Sequence, residues 1–404
     1  MVSDPLTHLV ETADSAGPTE QAALLPAGLA DLLAPEARAE ALTIDKLISR
    51  CEAFGYERVK PPLLEFEEGL LTGPGKALAG GTFRLMDPVS QRMLALRADM
   101  TPQVVRIAAC RLTAVPRPLR LCYAGQVLRQ RGGQLRPERQ FGQIGAELIG
   151  DDSVASDSEV ALLAADALMS LGIQDLSLDL CLPSLVGHMT SALGLPERQA
   201  ELLAQALDRK DAATVAALGG DQAQPFLDLL ASVGPLETSL PRLAALSLPP
   251  VAAEQVERLI AVAESLTAAA PNLTLTVDPV EHRGHRYQIG LSFTLFGKGV
   301  RGELGRGGRY LADCLTGGVE PATGFTLFSD SLMRAVTPPP PRLRVYLPAG
   351  SDRGAVEALR QEGWATVSAL QTDAAPEAEA RRLRCSHIFR DGAAQPLSAQ
   401  EHAQ

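Results

Sequence analysis

The chain has 404 residues, 46% hydrophobic and 21% charged, which is enough for two or three domains with packed cores. Its net charge of −11 argues against a general polyanion binder, because phosphate binding needs a basic face, and leaves room for a local basic patch. Six cysteines (Cys51, Cys110, Cys122, Cys181, Cys314 and Cys385) are scattered without a CxxC pair, a pattern that argues against a zinc site or a disulfide framework.

Residues 1–20 are polar, with no basic stretch leading into an apolar run, and read as a mobile tail rather than a signal peptide. No apolar run approaches the roughly 18 residues of a membrane span. The expectation is a cytoplasmic protein that binds neither membrane nor nucleic acid and needs no metal or cofactor.

In "EARAEALTIDKLISRCEAFGY", Ile44, Leu47, Ile48 and Cys51 fall at i, i+3, i+4 and i+7, and Gly55 follows as a C′ residue, so a helix is predicted. "ERVKPPLLEFEE" reads as a strand interrupted by Pro61 and Pro62, which suit an edge or an interface. "RMLALRADM" and "PRPLRLCYAGQVLRQ" read as strands around a helix at 101–111. "RQFGQIGAELIG" reads as another strand, whose alternation places Gln143 and Glu147 on one face.

"SDSEVALLAADALMSLG" has Val160, Leu163, Ala164, Ala167, Leu168 and Leu171 on a shared helical face, ended by Gly172, and "LSLDLCL" resumes strand. Residues 183–270 are rich in Ala and Leu at helical spacing and read as a helical insertion. Strands return at "LTLTVD", "GLSFTLFG" and "GELGRGGRY", and a helix at 330–336 closes the main domain, 21–336. "TPPPPR", 337–342, is a stiff proline linker, and 343–404 alternate strand and helix as a small α/β module. The predicted fold class is α+β, an antiparallel sheet flanked by helices. There is no Walker A, no GxGxxG after a strand, no HExxH and no GxSxG.

The ordered strings "GYERVKPPLLE", "LRADMTPQVVR", "LRQRGGQLRPERQFGQIGAELIG", "RGHRYQIGLSF", "GGRYL" and "GFTLFSDSLMRAV" resemble histidyl-tRNA synthetase, a class II enzyme. They look still more like its non-aminoacylating relatives, the regulatory subunits of ATP phosphoribosyltransferase. The resemblance spans residues 21–336. It implies a class II core with a pocket for histidine. Asp99, Thr101, Gln143 and Glu147 would surround the amino group and ring, Arg129 would open the second class II motif, and Arg283 would face the carboxylate. Tyr287 and Tyr310 would contact the ring. The residue types fit: carboxylates and a hydroxyl suit an ammonium, arginine suits a carboxylate, and an imidazole N–H needs an acceptor.

Each position has a plainer reading. Asp99 would cap the helix starting near Thr101. Arg283 would be a solvated surface charge, and Tyr287 and Tyr310 would be core aromatics with bonded hydroxyls. His282 and His285 have no metal-ligand spacing.

The departures from the synthetase fall on the ATP site. Arg131 stands where the second motif has the glutamate that reads adenine. Phe328-Ser329-Asp330-Ser331 stands where the third has Gly-Leu-Glu-Arg, so Ser331 replaces the arginine that clamps phosphate. Losing two such groups removes transition-state stabilisation of several kcal/mol, and adenylate formation is not expected. Tyr287-Gln288 replaces paired tyrosines, and the C-terminal module is shorter than the synthetase's anticodon-binding domain.

The resemblance therefore implies a regulatory subunit with no catalytic residues. It would assemble with a short-form ATP phosphoribosyltransferase catalytic subunit, as a homodimer within a hetero-octamer, and answer to L-histidine as effector. The alternatives are a histidyl-tRNA synthetase with an unusual ATP site, or a histidine-binding regulator of another partner.

Overall fold

The computed structural model describes residues 24–133, 136–281, 288–313, 318–372 and 374–397. The predicted tail, Arg283, Tyr287, His282 and His285 lie outside them. Contacts divide the chain into two units, Met1–Thr337 and Pro338–Gln404.

The first unit opens with helix α1, Glu36–Ala53, which buries Leu47, Ile48 and Cys51 and ends at Gly55, whose φ of +84° suits glycine. The proline-interrupted string forms two short strands in different sheets, β1 (Glu57–Arg58) and β2 (Leu64–Phe66), and then runs into a turn of helix, α2 (Glu67–Leu70). Pro61 and Pro62, which cannot donate to a ladder, mark the switch between sheets. Strands β3 (Arg84–Met86) and β4 (Met93–Leu96) complete a small sheet ordered β2-β4-β3.

Helix α3 (Thr101–Cys110) leads to the long hairpin β5 (Leu119–Leu128) and β6 (Gln140–Ile149). The helix α4 (Val154–Ser170) buries ten of its 17 residues, and Ser153 caps it by accepting from the Ser156 N–H. β7 (Leu176–Cys181) follows. Then come six helices: α5 (Leu185–Ala192), α6 (Glu197–Asp208), α7 (Ala212–Gly219), α8 (Gln224–Ala231), α9 (Leu236–Ala244) and α10 (Pro250–Ala269). A two-residue strand, β8 (Gly234–Pro235), interrupts them.

β9 (Thr274–Asp278), β10 (Gln288–Gly297), β11 (Gly305–Ala312) and β12 (Glu320–Phe328) complete the main sheet, and helix α11 (Ser329–Ala335) closes the unit. The sheet has nine strands in the order β1-β5-β6-β12-β11-β10-β7-β9-β8, antiparallel except for β1–β5 and β7–β9. β12 is absent from the strands read in the sequence. It lies between β6 and β11 at the centre of the sheet, so its backbone is paired on both sides.

β6 is buried on both faces. Ile144, Ala146 and Leu148 point into the larger core with α1 and α4, while Phe141 and Ile149 join a second core with Leu121, Tyr123 and Val127. At the first turn of α4, Asp157 receives Arg309 of β11 at 2.8 Å and Arg258 of α10 at 2.7 Å, which ties the sheet to both helices.

The second unit is a four-stranded sheet, ordered β14-β13-β15-β16. It comprises β13 (Arg344–Leu347), α12 (Arg353–Gln361), β14 (Ala365–Ser368), α13 (Pro376–Arg382), β15 (His387–Arg390) and β16 (Ala393–Pro396). The final strand extends the alternation expected for this module with an antiparallel hairpin. Among the described residues no helix is long and apolar enough to cross a membrane.

Candidate functional site

On β6 the pleat sends Gln143, Gly145 and Glu147 to one face. The neighbouring strands present Gly125, Tyr123 and Leu121 of β5, and Phe328, Thr326 and Gly324 of β12, at the paired positions. Gly145 matters because it has no side chain: a Cβ there would sit 2.5 Å from the Tyr123 hydroxyl, so only glycine lets that ring lie between Gln143 and Glu147. Gly324 does the same for the carboxylate, since a Cβ would meet Glu147 Oε2 at 1.7 Å.

These glycines open a cavity of about 390 Å³, lined by Asp99, Thr101, Arg129, Arg131, Glu147, Arg306, Tyr310, Thr326 and Phe328, among others. Gln288, the departure from the synthetase's paired tyrosines, lies on the same wall.

Glu147 is 1% exposed and takes three hydroxyl donors. Thr101 Oγ1 donates to Oε1 at 2.9 Å, Tyr123 OH to Oε1 at 3.0 Å and Tyr310 OH to Oε2 at 2.8 Å. Burial pushes its carboxyl up to about 7, against the pull of the three hydroxyls, and the charge of Asp99 adds to the rise. Burial likewise raises the Tyr123 hydroxyl well above its ordinary value, with the Glu147 charge next in weight.

Gln143, 2% exposed, bridges the site to the start of α3. Its Oε1 accepts from the Met100 N–H at 2.8 Å, and its Nε2 donates to Asp99 Oδ1 at 2.8 Å and to Thr326 Oγ1 at 3.1 Å. Asp99 Oδ1 also accepts from the Thr101 N–H at 3.0 Å. Asp99 thus precedes the Met100 N-cap, accepts from the first N–H of α3 and lines the cavity at once, so the two readings of this residue are compatible. Tyr310 likewise belongs to the second core while its hydroxyl reaches Glu147.

Six of the eight candidate contacts (Asp99, Thr101, Arg129, Gln143, Glu147 and Tyr310) thus meet in one network or on one cavity wall. The other two, Arg283 and Tyr287, fall outside the described residues.

The far side of the cavity is arginine-rich. Arg129 lies over the Phe141 ring, 4.9 Å from its centre. Burial lowers its pKa, with Asp99 opposing that shift and Arg136 and Arg306 adding to it. Arg131 is exposed at the rim. Ser331 is buried on α11, where its hydroxyl accepts from Arg136 at 3.3 Å and Arg334 at 3.2 Å. Arg136 stacks on Phe328 at 3.7 Å and pairs with Asp330 at 2.9 Å. Phe328 in turn meets Phe141 edge-on, 5.9 Å between centres.

Tyr123, Thr326, Arg136 and Arg306 were not singled out in the sequence. Tyr123 and Thr326 had one readable signal, the glycine midway between Gln143 and Glu147, which on a buried strand demands a large neighbour. Arg136 and Arg306 lie in strings noted for other reasons. Among the described residues no group of His, Cys, Asp and Glu could hold a metal ion.

The family model for histidyl-tRNA synthetase matches residues 28–332. An ATP phosphoribosyltransferase regulatory subunit from Rhodospirillum centenum is 54% identical over 375 residues, covering 93% of this chain and 96% of that protein. Among solved structures, an ATP phosphoribosyltransferase regulatory subunit/histidyl-tRNA synthetase from Bacillus halodurans is 24% identical with a TM-score of 0.76, covering 91% of this chain and 97% of that one. A chain of the ATP phosphoribosyltransferase complex from Thermotoga maritima is 17% identical with a TM-score of 0.57, covering 72% and 97%. At those identities the two structures establish the fold, and the curated relative establishes the branch. With a histidyl-tRNA synthetase-type core over most of its length and a curated relative more than half identical to it, the chain belongs to the ATP phosphoribosyltransferase regulatory subunits.

Proposed function

We propose that this chain regulates the first step of histidine synthesis without catalysing it. It assembles with a short-form ATP phosphoribosyltransferase catalytic subunit, as a homodimer within a hetero-octamer, permits that subunit's activity and conveys inhibition by L-histidine bound in the Glu147 cavity. The observation that carries the reading is the asymmetry of the cavity. Its lining offers a buried carboxylate and hydroxyls suited to an amino acid, while Phe328, also in the lining, carries Arg136 stacked on its ring and salt-bridged to Asp330. The curated relative named above supports the regulatory role, and the complex from Thermotoga maritima makes a catalytic partner the natural one to test.

The test is co-purification with the candidate catalytic subunit, followed by assay of that subunit with and without this chain and with added histidine. Activity that depends on this chain and falls with histidine supports the reading. Purified alone, the chain should show no histidine-dependent ATP–pyrophosphate exchange, and exchange at a synthetase-like rate would overturn it.

A further inference from the structure

We propose that Arg136 is a positioning residue that decides how large a ligand the cavity admits: it props the Phe328 ring against the open space and so shuts out a purine nucleoside. The inference goes beyond the histidine reading, because it concerns the room in the cavity and not what binds Glu147.

Phe328 is the last residue of β12, 4% exposed, and part of the cavity lining. The alternate positions before it on the strand, Gly324 and Thr326, are small and line the cavity too. A ring at the end of that row narrows the cavity unless it can swing away.

Arg136 denies it that movement. Its guanidinium carbon lies 3.7 Å from the centre of the Phe328 ring and 5.3 Å from that of Phe141. Arg136 does not itself line the cavity, so it backs the ring from behind. Its own side chain is 12% exposed and is held from several sides. Nε lies 2.9 Å from Asp330 Oδ2, Nη2 lies 3.6 Å from Glu303 Oε1, and Nη2 donates to Ser331 Oγ at 3.3 Å.

Neutralising Asp330 does not by itself call for a planar cation, and a lysine would serve. Nε and both Asp330 oxygens are buried without a well-aligned hydrogen bond, so the aromatic face rather than the acid sets the plane of the guanidinium. A flat group packed on a flat ring fills the space behind it, and removing that group leaves a void into which the ring can retreat. The room gained passes to a cavity of about 390 Å³. It would be bounded by two aromatic rings and by the acceptors Asp330 and Glu303, which suit a flat base carrying an exocyclic amine.

The test is calorimetry of the full chain with adenosine as the probe, for wild type and Arg136→Ala, with L-histidine titrated in parallel. Wild type should show no adenosine binding at millimolar concentration. Arg136→Ala should gain affinity by about 5- to 150-fold, the usual worth of stacking one base on an aromatic ring. Histidine affinity should be the same in both proteins, since none of the Glu147 contacts is touched. Removing Arg136 alone strands the Asp330 charge, so the double variant Arg136→Ala with Asp330→Ala decides the matter if the single one does not fold.

Folded variants that bind adenosine no better than wild type, with only a lower denaturation midpoint, would show that Arg136 serves packing alone and overturn the proposal. Adenosine binding by wild type would overturn it as well. An absence of histidine binding in wild type would strike the histidine reading and leave the adenosine comparison intact.

Discussion

Two buried carboxylates lie ten positions apart in this chain and are finished in opposite ways. Asp157, whose side chain is 2% exposed, receives Arg309 and Arg258 at 2.8 and 2.7 Å. Glu147, as deeply buried, receives only hydroxyls among the described residues. Both are desolvated, so both charges are costly unless matched. The first is matched by the protein itself and joins β11 and α10 to the start of α4. Among the described residues no cation matches the second. What burial alone does not reveal, the identity of the partner does: a completed ion pair marks a joint of the fold, an uncompleted one a place for a ligand.

The comparison is broken most forcefully at the completed pair. Asp157→Ala should destabilise the protein by about 3–5 kcal/mol, the usual cost of breaking a buried pair, because it takes the carboxylate from Arg309 and Arg258 at once. Chemical denaturation would measure it, and histidine affinity of the folded protein should stay within about twofold. A large loss of affinity with little loss of stability would reverse the roles assigned to the two carboxylates.

Changing pH comes next in size. Because the folded Glu147 carboxyl titrates near 7, above its ordinary 4.5, folding favours the protonated form. Its stabilising contribution is therefore complete below pH 4.5 and is lost as pH rises through about 7, a difference of about 3 kcal/mol. The wild type should lose that much relative to Glu147→Gln between pH 4.5 and 8.5, by denaturation at each pH. Equal pH profiles for the two proteins would show that Glu147 does not titrate in this range.

Tyr310→Phe sharpens the comparison with a smaller effect. It removes the hydroxyl that donates to Oε2, worth about 1 kcal/mol, and should shift the Glu147 titration further upward because that hydrogen bond favours the ionised form. The pH dependence of histidine affinity should move to higher pH. An unchanged midpoint would mean that the hydroxyl serves packing alone.

Much of this was legible in advance, for identifiable reasons. α1 and α4 advertise themselves through residues such as Leu47 and Leu168 at helical spacing, and Gln143 and Glu147 through the period-two pleat. β12 was not legible as a strand, because "ATGFTLF" is buried on both faces at the centre of the sheet and so has no polar alternation. The single string around Pro61 and Pro62 concealed two sheets, since a proline says where pairing stops but not where it resumes. Thr326 and Tyr123 could be placed beside Glu147 only through strand register, which depends on pairings between residues as far apart as 123 and 326. The ion pair between Arg309 and Asp157 spans 152 positions and leaves no local trace.

β6 has a mechanical consequence as well as a chemical one. Its alternate side chains belong to two different interiors: Glu147 borders the cavity and Gln143 bonds to Asp99 on its wall, while Ile144, Ala146 and Leu148 are wedged among α1 and α4. Packed interiors resist compression and transmit displacement. Whatever tugs on Glu147 from one side therefore pushes on the helices behind the sheet, through a strand only one residue thick. A small molecule settling in the cavity has a direct lever on the helices packed against the other face of the sheet, and no hinge is needed between them.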